Sequence, residues 1–171
     1  MPGKLQKEIR QTRPFESIEE EAVLNVLRTA EVLQRAISDF LKDFDLSPTQ
    51  YNVLRILRGA GEAGVTCSQI GERLLNRDPD ITRLLDRMET RGLIKRERSS
   101  QDRRAIITRI SEAGLALVGS LDQPLLRMNQ SRMGKLGRNA LTVLTAELER
   151  IREAFEPAEV TEKADSERNK K

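Results

Sequence analysis

No histidine and no tryptophan occur in this 171-residue sequence, and Cys67 is its only cysteine. A Ser-His-Asp triad, a Cys-His dyad, an HExxH zinc site and a Cys/His zinc finger all need residues that are missing. One cysteine cannot close an internal disulfide, which fits a reducing compartment. Aromatic residues make up only 3% of the chain, against 33% charged and 37% hydrophobic. That balance fits long amphipathic helices and argues against a β-sandwich. Long apolar runs are missing as well. No uncharged stretch exceeds nine residues, as at 113–121, so no segment can span a bilayer. The first residues, with Lys4, Lys7, Glu8, Arg10 and Arg13, have no apolar run behind them and do not read as a signal peptide. The sequence therefore predicts a soluble, cytoplasmic chain without membrane contact, and nothing in it calls for a cofactor or a metal.

Amphipathic periodicity is what the sequence does have. Residues 1–16 read as a flexible basic arm containing Pro2 and Pro14. Ser17 and Glu20 then have the spacing of a capping box. Val23, Val26, Leu27, Ala30, Leu33, Ile37, Phe40, Leu41 and Phe44 follow at steps of three and four, which predicts one helix over 18–44. A helix of ~40 Å, at 1.5 Å per residue, overshoots a small core, and its spare stripe needs a partner. Ser47, Pro48 and Gln50 restart the chain with a second capping box, and Gly59 and Gly61 stop that helix. Thr66 and Gln69 open a short helix with Ile70, Leu74 and Leu75 inside. Asp78 and Pro79 begin another, through Ile81, Leu84, Leu85 and Met88, which ends at Gly92. Two short helices joined by a tight turn make a helix-turn-helix candidate.

Beyond Gly92 the period changes. Residues 93–98 and 105–110 read as two strands around the polar turn 99–104, a charged β-hairpin. Ser111 caps the next helical region, with a break expected near 131–137 and a stop at Pro157. The charged segment 157–171 reads as disordered. The expected fold is mainly α with a small β-hairpin wing, a winged helix-turn-helix flanked by long terminal helices.

Charge distribution supports a nucleic-acid reading. Between Arg91 and Arg104 stand six basic residues against two acids, a local +4 that exceeds the +3 of the whole chain. A basic hairpin beside a helix-turn-helix suits a phosphate backbone, although exposed edge strands are often charged for other reasons. In the helix opened by Pro79, the first turn faces base edges, which makes Pro79, Asp80, Thr82 and Arg83 the candidate readers. Arg83 can bind guanine through two hydrogen bonds, and Asp80 can accept from a cytosine amine or, equally, orient Arg83 or favour the helix terminus. Arg77, Arg87, Arg98, Asp102, Arg103 and Arg104 complete the candidate DNA-binding set.

Residues 47–114 resemble the DNA-binding core of the MarR family of bacterial transcriptional regulators. The resemblance is carried by Leu46-Ser47-Pro48-Thr49-Gln50-Tyr51, by the run RDPDITRLLDRME at 77–89, by Arg91-Gly92-Leu93-Ile94, and by Asp102-Arg103-Arg104 with Thr108 and Gly114. Each segment alone is weak; their order and spacing together are specific. With its flanking helices the likeness covers about 18–155. One departure is Ser111 where the family has threonine, and serine caps as well.

The resemblance implies a homodimer, with 17–45 and 112–156 as dimerisation helices around a DNA-binding core at 46–111. It also implies a repressor released by a small aromatic or phenolic effector, not an enzyme. Two-fold symmetry then predicts a pseudo-palindromic operator. The family places a wing arginine in the minor groove, held by the wing aspartate, which corresponds here to Arg103 or Arg104 with Asp102. Tyr51 and Arg55 are candidates for an effector pocket, with a plain core role for Tyr51 as the alternative. Cys67, at a helix start, reads as a small semi-buried residue ahead of an oxidant sensor. The competing functional reading is a winged-helix module for protein contacts without specific DNA binding.

Overall fold

A computed structural model of the chain describes residues 3–75, 80–99 and 104–155. Its elements are α1 (Lys4–Glu8), α2 (Ile18–Lys42), α3 (Pro48–Ala60), β1 (Val65–Thr66), α4 (Cys67–Arg73), α5 (Ile81–Thr90), β2 (Ile94–Arg98), β3 (Ile106–Ile110), α6 (Glu112–Met133) and α7 (Arg138–Phe155). Short 3-10 turns follow α3 and α6. The chain divides into two compact units, 1–119 and 120–171.

The helix starts follow from their caps. Ser47 Oγ accepts from the Gln50 amide at 3.1 Å while Gln50 Oε1 accepts from the Ser47 amide at 2.9 Å. Thr66 and Gln69 repeat the arrangement at 3.3 and 2.9 Å. Each box satisfies two amides that lack a partner in the first turn. At α2 the box is incomplete. Ser17 Oγ takes the Glu20 amide at 3.2 Å, but the Glu20 carboxylate reaches one residue further back, to the Glu16 amide at 2.7 Å.

Three strands, rather than the expected two, form the sheet, in the order β1-β3-β2 and antiparallel throughout. Val65 pairs with Thr108 and Thr66 with Ile107, while β2 pairs with β3 from Ile94–Ile110 to Arg98–Ile106. A two-residue strand has no periodicity to read. Gly64 is its enabling residue: at φ 65°, any Cβ there lies 2.7 Å from the Thr108 carbonyl oxygen. Gly114 answers a similar demand, because a Cβ on it meets the Leu93 carbonyl.

Leu41, Val53, Leu54, Leu57, Ile70, Leu84, Leu85, Met88, Ile94 and Val118 are the buried core of the first unit. Ser111 joins the wing to α6. Its hydroxyl donates to the Gly92 carbonyl at 2.6 Å and accepts from the Gly114 amide at 3.0 Å. In the second unit Leu121 and Leu125 are buried, whereas α7 buries no residue.

Several expectations need correction. The segment read as a flexible arm carries α1, whose Leu5 is buried, and Gln6 Nε2 donates to the Arg13 carbonyl at 3.1 Å. A single apolar anchor in a polar run is invisible to composition. Leu75 is 86% exposed, because α4 ends at Arg73 and the extended Leu74 breaks the helical phase. Gly59 lies inside α3, and the stop is Gly61. Helix α5 begins at Ile81 with Asp80 as N-cap, later than the expected start. Asp78, Pro79, Pro157 and the segment 157–171 lie outside the described residues.

Candidate nucleic-acid interface

Helix α5 has two faces of opposite character. Leu84, Leu85 and Met88 are buried and Ile81 is half-buried, while Thr82, Arg83, Asp86 and Arg87 are exposed. The 3.6-residue period separates them because 81, 84, 85 and 88 fall on one side of the helix. The exposed face is shaped by charge. Arg83 Nη1 lies 3.3 Å from Asp80 Oδ2, one helical turn earlier. Asp80 is the N-cap of α5 and makes no side-chain cap hydrogen bond there. Asp80, Arg83, Asp86 and Arg87 line a shallow surface depression of ~360 Å³.

The wing places further basic residues beside this face. Lys95 and Arg98 on β2 are exposed, as is Arg104 at the entry to β3. Neither Lys95 nor Arg98 has an ion pair among the described residues. Two of the six basic residues counted in this stretch are committed elsewhere. Arg91 donates to the Asp45 carbonyl at 2.6 Å and lies 3.0 Å from its carboxylate. Arg96 turns back onto α5, where its guanidinium meets Glu89 at 2.6 Å and Asp86 at 2.5 Å. Hydrogen bonding to Glu89 outweighs desolvation and raises the Arg96 pKa further. On β3, Arg109 pairs with Glu97 at 3.1 Å and donates to the Glu62 carbonyl at 2.6 Å. The local +4 thus overstates what the wing offers to phosphates. A charge count along the chain does not see cross-strand and helix–strand pairing.

Of the candidate DNA-binding residues, the structure brings Thr82, Arg83 and Arg87 together on α5 with Asp80 at its N-cap, and places Arg98 and Arg104 on the wing. Arg77, Pro79, Asp102 and Arg103 lie outside the described residues. Lys95, left out of the candidate set, is as exposed as Arg98; the signal available for it was the strand alternation. Asp86, also outside the candidate set, lines the same depression as Arg83.

The effector candidates sit on α3. The Arg55 guanidinium carbon is 5.9 Å from the Tyr51 ring centroid, at the outer limit of a cation–π contact. Tyr51 is half-buried and Arg55 exposed. Cys67, the first residue of α4, is a half-buried free thiol. Among the described residues no cluster of ligating side chains could hold a metal ion, and no helix is long and apolar enough to cross a membrane.

An outward polar helix face carrying Arg83 and Arg87, beside a wing with exposed Lys95, Arg98 and Arg104, can meet a duplex through base edges and phosphates at once. Comparison with known proteins agrees with that arrangement. A family model described as MarR family matches residues 44–105. The crystal structure of a MarR transcription factor from Planctomyces limnophilus is 35% identical, with a TM-score of 0.61 over 79% of this chain and 98% of that one. The regulator PecS of Dickeya dadantii is 26% identical over 83% of this chain and 87% of its own length. PcaV of Streptomyces coelicolor, solved in complex with its natural ligand, is 27% identical, with a TM-score of 0.64 over 75% of this chain and 92% of that one. Two further curated regulators are matched over about half of their own length. Likeness that runs through both the reading helix and the wing settles the assignment: the chain belongs to the MarR family of transcriptional regulators.

Proposed function

We propose that this chain is a cytoplasmic, sequence-specific DNA-binding repressor that acts as a homodimer on a pseudo-palindromic operator and is released by a small aromatic or phenolic ligand. The observation that carries the reading is the exposed face of α5, with Thr82, Arg83 and Arg87 outward, beside the exposed Lys95, Arg98 and Arg104 of the wing. Arg83, pre-oriented by Asp80, reads guanine; Arg87, Arg98 and Lys95 neutralise phosphates. Arg77, Pro79, Asp102, Arg103 and Arg104 complete the interface, with one wing arginine entering the minor groove.

The dimer is supported by unpartnered apolar side chains on the terminal helices. In α2, Ile18, Val23, Leu27, Val32 and Leu33 are exposed; in α7, Val143, Leu144, Ile151 and Phe155 are exposed. A second copy is the partner that removes such surface from water. Ligand response is supported by PcaV, a relative solved with its natural ligand. Tyr51 and Arg55 offer an aromatic face and a cation to a phenolate or an aromatic acid. A ligand acts here by favouring a spacing of the two DNA-binding lobes that misfits the operator.

Fluorescence anisotropy tests this directly. The probes are the intergenic duplex flanking the chain's own gene and a random duplex, each titrated across a salt series. The expected preference for the former is about a thousandfold or more. A steep salt dependence without preference points to non-specific binding. No binding at low salt overturns the DNA reading in favour of a protein-contact module.

A further inference from the structure

Arg96 is the residue through which the wing is tied to the reading helix. Glu89 Oε1 accepts from the Arg96 backbone amide at 3.0 Å, and Glu89 Oε2 accepts from Arg96 Nε at 2.8 Å. Asp86 Oδ1 accepts from Arg96 Nη2 at 2.5 Å. Among the described residues, every side-chain hydrogen bond between α5 and β2 ends on Arg96. The strand is the free edge of the sheet, so Glu89 also satisfies an edge amide that would otherwise face solvent. Asp86 shares its surface depression with Arg83 and Arg87. An unpaired carboxylate there would repel phosphate, and Arg96 neutralises it from behind. The Arg96 side chain is 21% exposed, with its donors turned inward.

We propose that Arg96 is a positioning residue for operator binding: it fixes the wing against α5 through Glu89 and Asp86, so that helix and wing meet the duplex in one register, without itself contacting phosphate. The proposal rests on the DNA-binding reading above. Because the clamp reaches β2 through its backbone as well as its side chain, losing it loosens the whole strand against α5.

The test combines binding and geometry in the full chain. Arg96→Gln removes the charge. Glu89→Gln weakens the same clamp without removing any group that could touch phosphate, and it serves as the second variant should Arg96→Gln fail to fold. Each is titrated against the intergenic and random duplexes across salt, well below its melting temperature. The expected result is an approximately tenfold loss of preference in both variants, the equivalent of one charged hydrogen bond, with an unchanged salt slope. The double variant loses less than the sum of the two, as coupled residues do. In a Cys67→Ser background, spin labels at positions 90 and 97 give a distance distribution between α5 and β2, which broadens in both variants.

A salt slope reduced by about one in Arg96→Gln alone, with Glu89→Gln binding normally, makes Arg96 a phosphate contact and overturns the proposal. Lower melting temperatures with wild-type preference and sharp distances overturn it as well, leaving a merely structural pair. Absence of preference in the wild-type chain overturns the regulator reading instead, and the distance measurement still decides whether the clamp exists.

Discussion

Helices α3 and α7 are both amphipathic, yet they end in opposite situations. α3 buries Val53, Leu54 and Leu57 completely within its own unit. α7 is longer and buries none of its residues, with Val143, Leu144, Ile151 and Phe155 all exposed. The stripe on α3 is met by α2, α4 and β3 of the same chain, so its burial needs nothing further. The stripe on α7 carries apolar surface worth ~1.5–3 kcal/mol per large side chain if covered. A helix can thus be specified by the same periodicity whether its stripe is covered by its own unit or left open. Burial, and not pattern, tells the two apart. Helix α2 holds both conditions in one element: Leu41 near its C-terminus is buried, while Ile18, Val23 and Leu27 nearer its start are exposed.

The strongest way to break this contrast is to charge the open stripe. Val143→Glu together with Ile151→Glu is expected to weaken self-association by ~3 kcal/mol or more, since two apolar burials are lost in each copy. Sedimentation would show a monomer in place of a dimer, with the circular dichroism of the fold retained. A wild-type chain that sediments as a monomer at micromolar concentration would sink the dimer proposal. Next comes the closed stripe. Leu57→Ala removes a fully buried side chain and is expected to cost ~2–5 kcal/mol in urea denaturation. A loss below ~1 kcal/mol would mean that the site collapses around the smaller residue.

A smaller effect separates function from stability. Arg83→Ala, on the exposed face of α5, is expected to weaken operator binding by ~1–3 kcal/mol and to relax preference at one base pair, while the melting temperature stays the same. Unchanged discrimination would remove Arg83 from the readers. The smallest predicted change is at the cap of α3. Ser47→Ala loses one hydrogen bond to the Gln50 amide and should cost ~1 kcal/mol in thermal unfolding. An effect near zero would show that Gln50 alone, or water, satisfies the first turn.

Much of this architecture was legible in the residues. The capping boxes at Ser47 and Thr66 form as their spacing predicts, because the Ser/Thr and Gln side chains that build them are only three residues apart. The two faces of α5 separate as the helical period requires. Strands 94–98 and 106–110 fall within a residue of the expected hairpin. Of the DNA-binding candidates, Asp80, Thr82, Arg83 and Arg87 share one exposed surface because a single helix carries three of them and its N-cap the fourth. What was not legible depends on contacts made at a distance. β1 is two residues long, and only its pairing with β3 identifies it. Leu5 and Leu75 exchange their expected places, one buried and one open, because neither outcome is written in its neighbours.

The sequence by itself determined where α2, α3, α4 and α6 begin, which helix faces are apolar and which basic residues could meet a duplex. Those features arise from interactions within about one helical turn or one strand repeat, and residue spacing encodes them directly. Tertiary structure alone decided which charges are free. Arg96 and Arg98 are equivalent in a linear count, yet Arg96 is bound by Asp86 and Glu89 from α5 while Arg98 stands exposed. The distinction arises only when a strand edge is laid against a helix, which brings residues seven and ten positions apart within hydrogen-bonding distance.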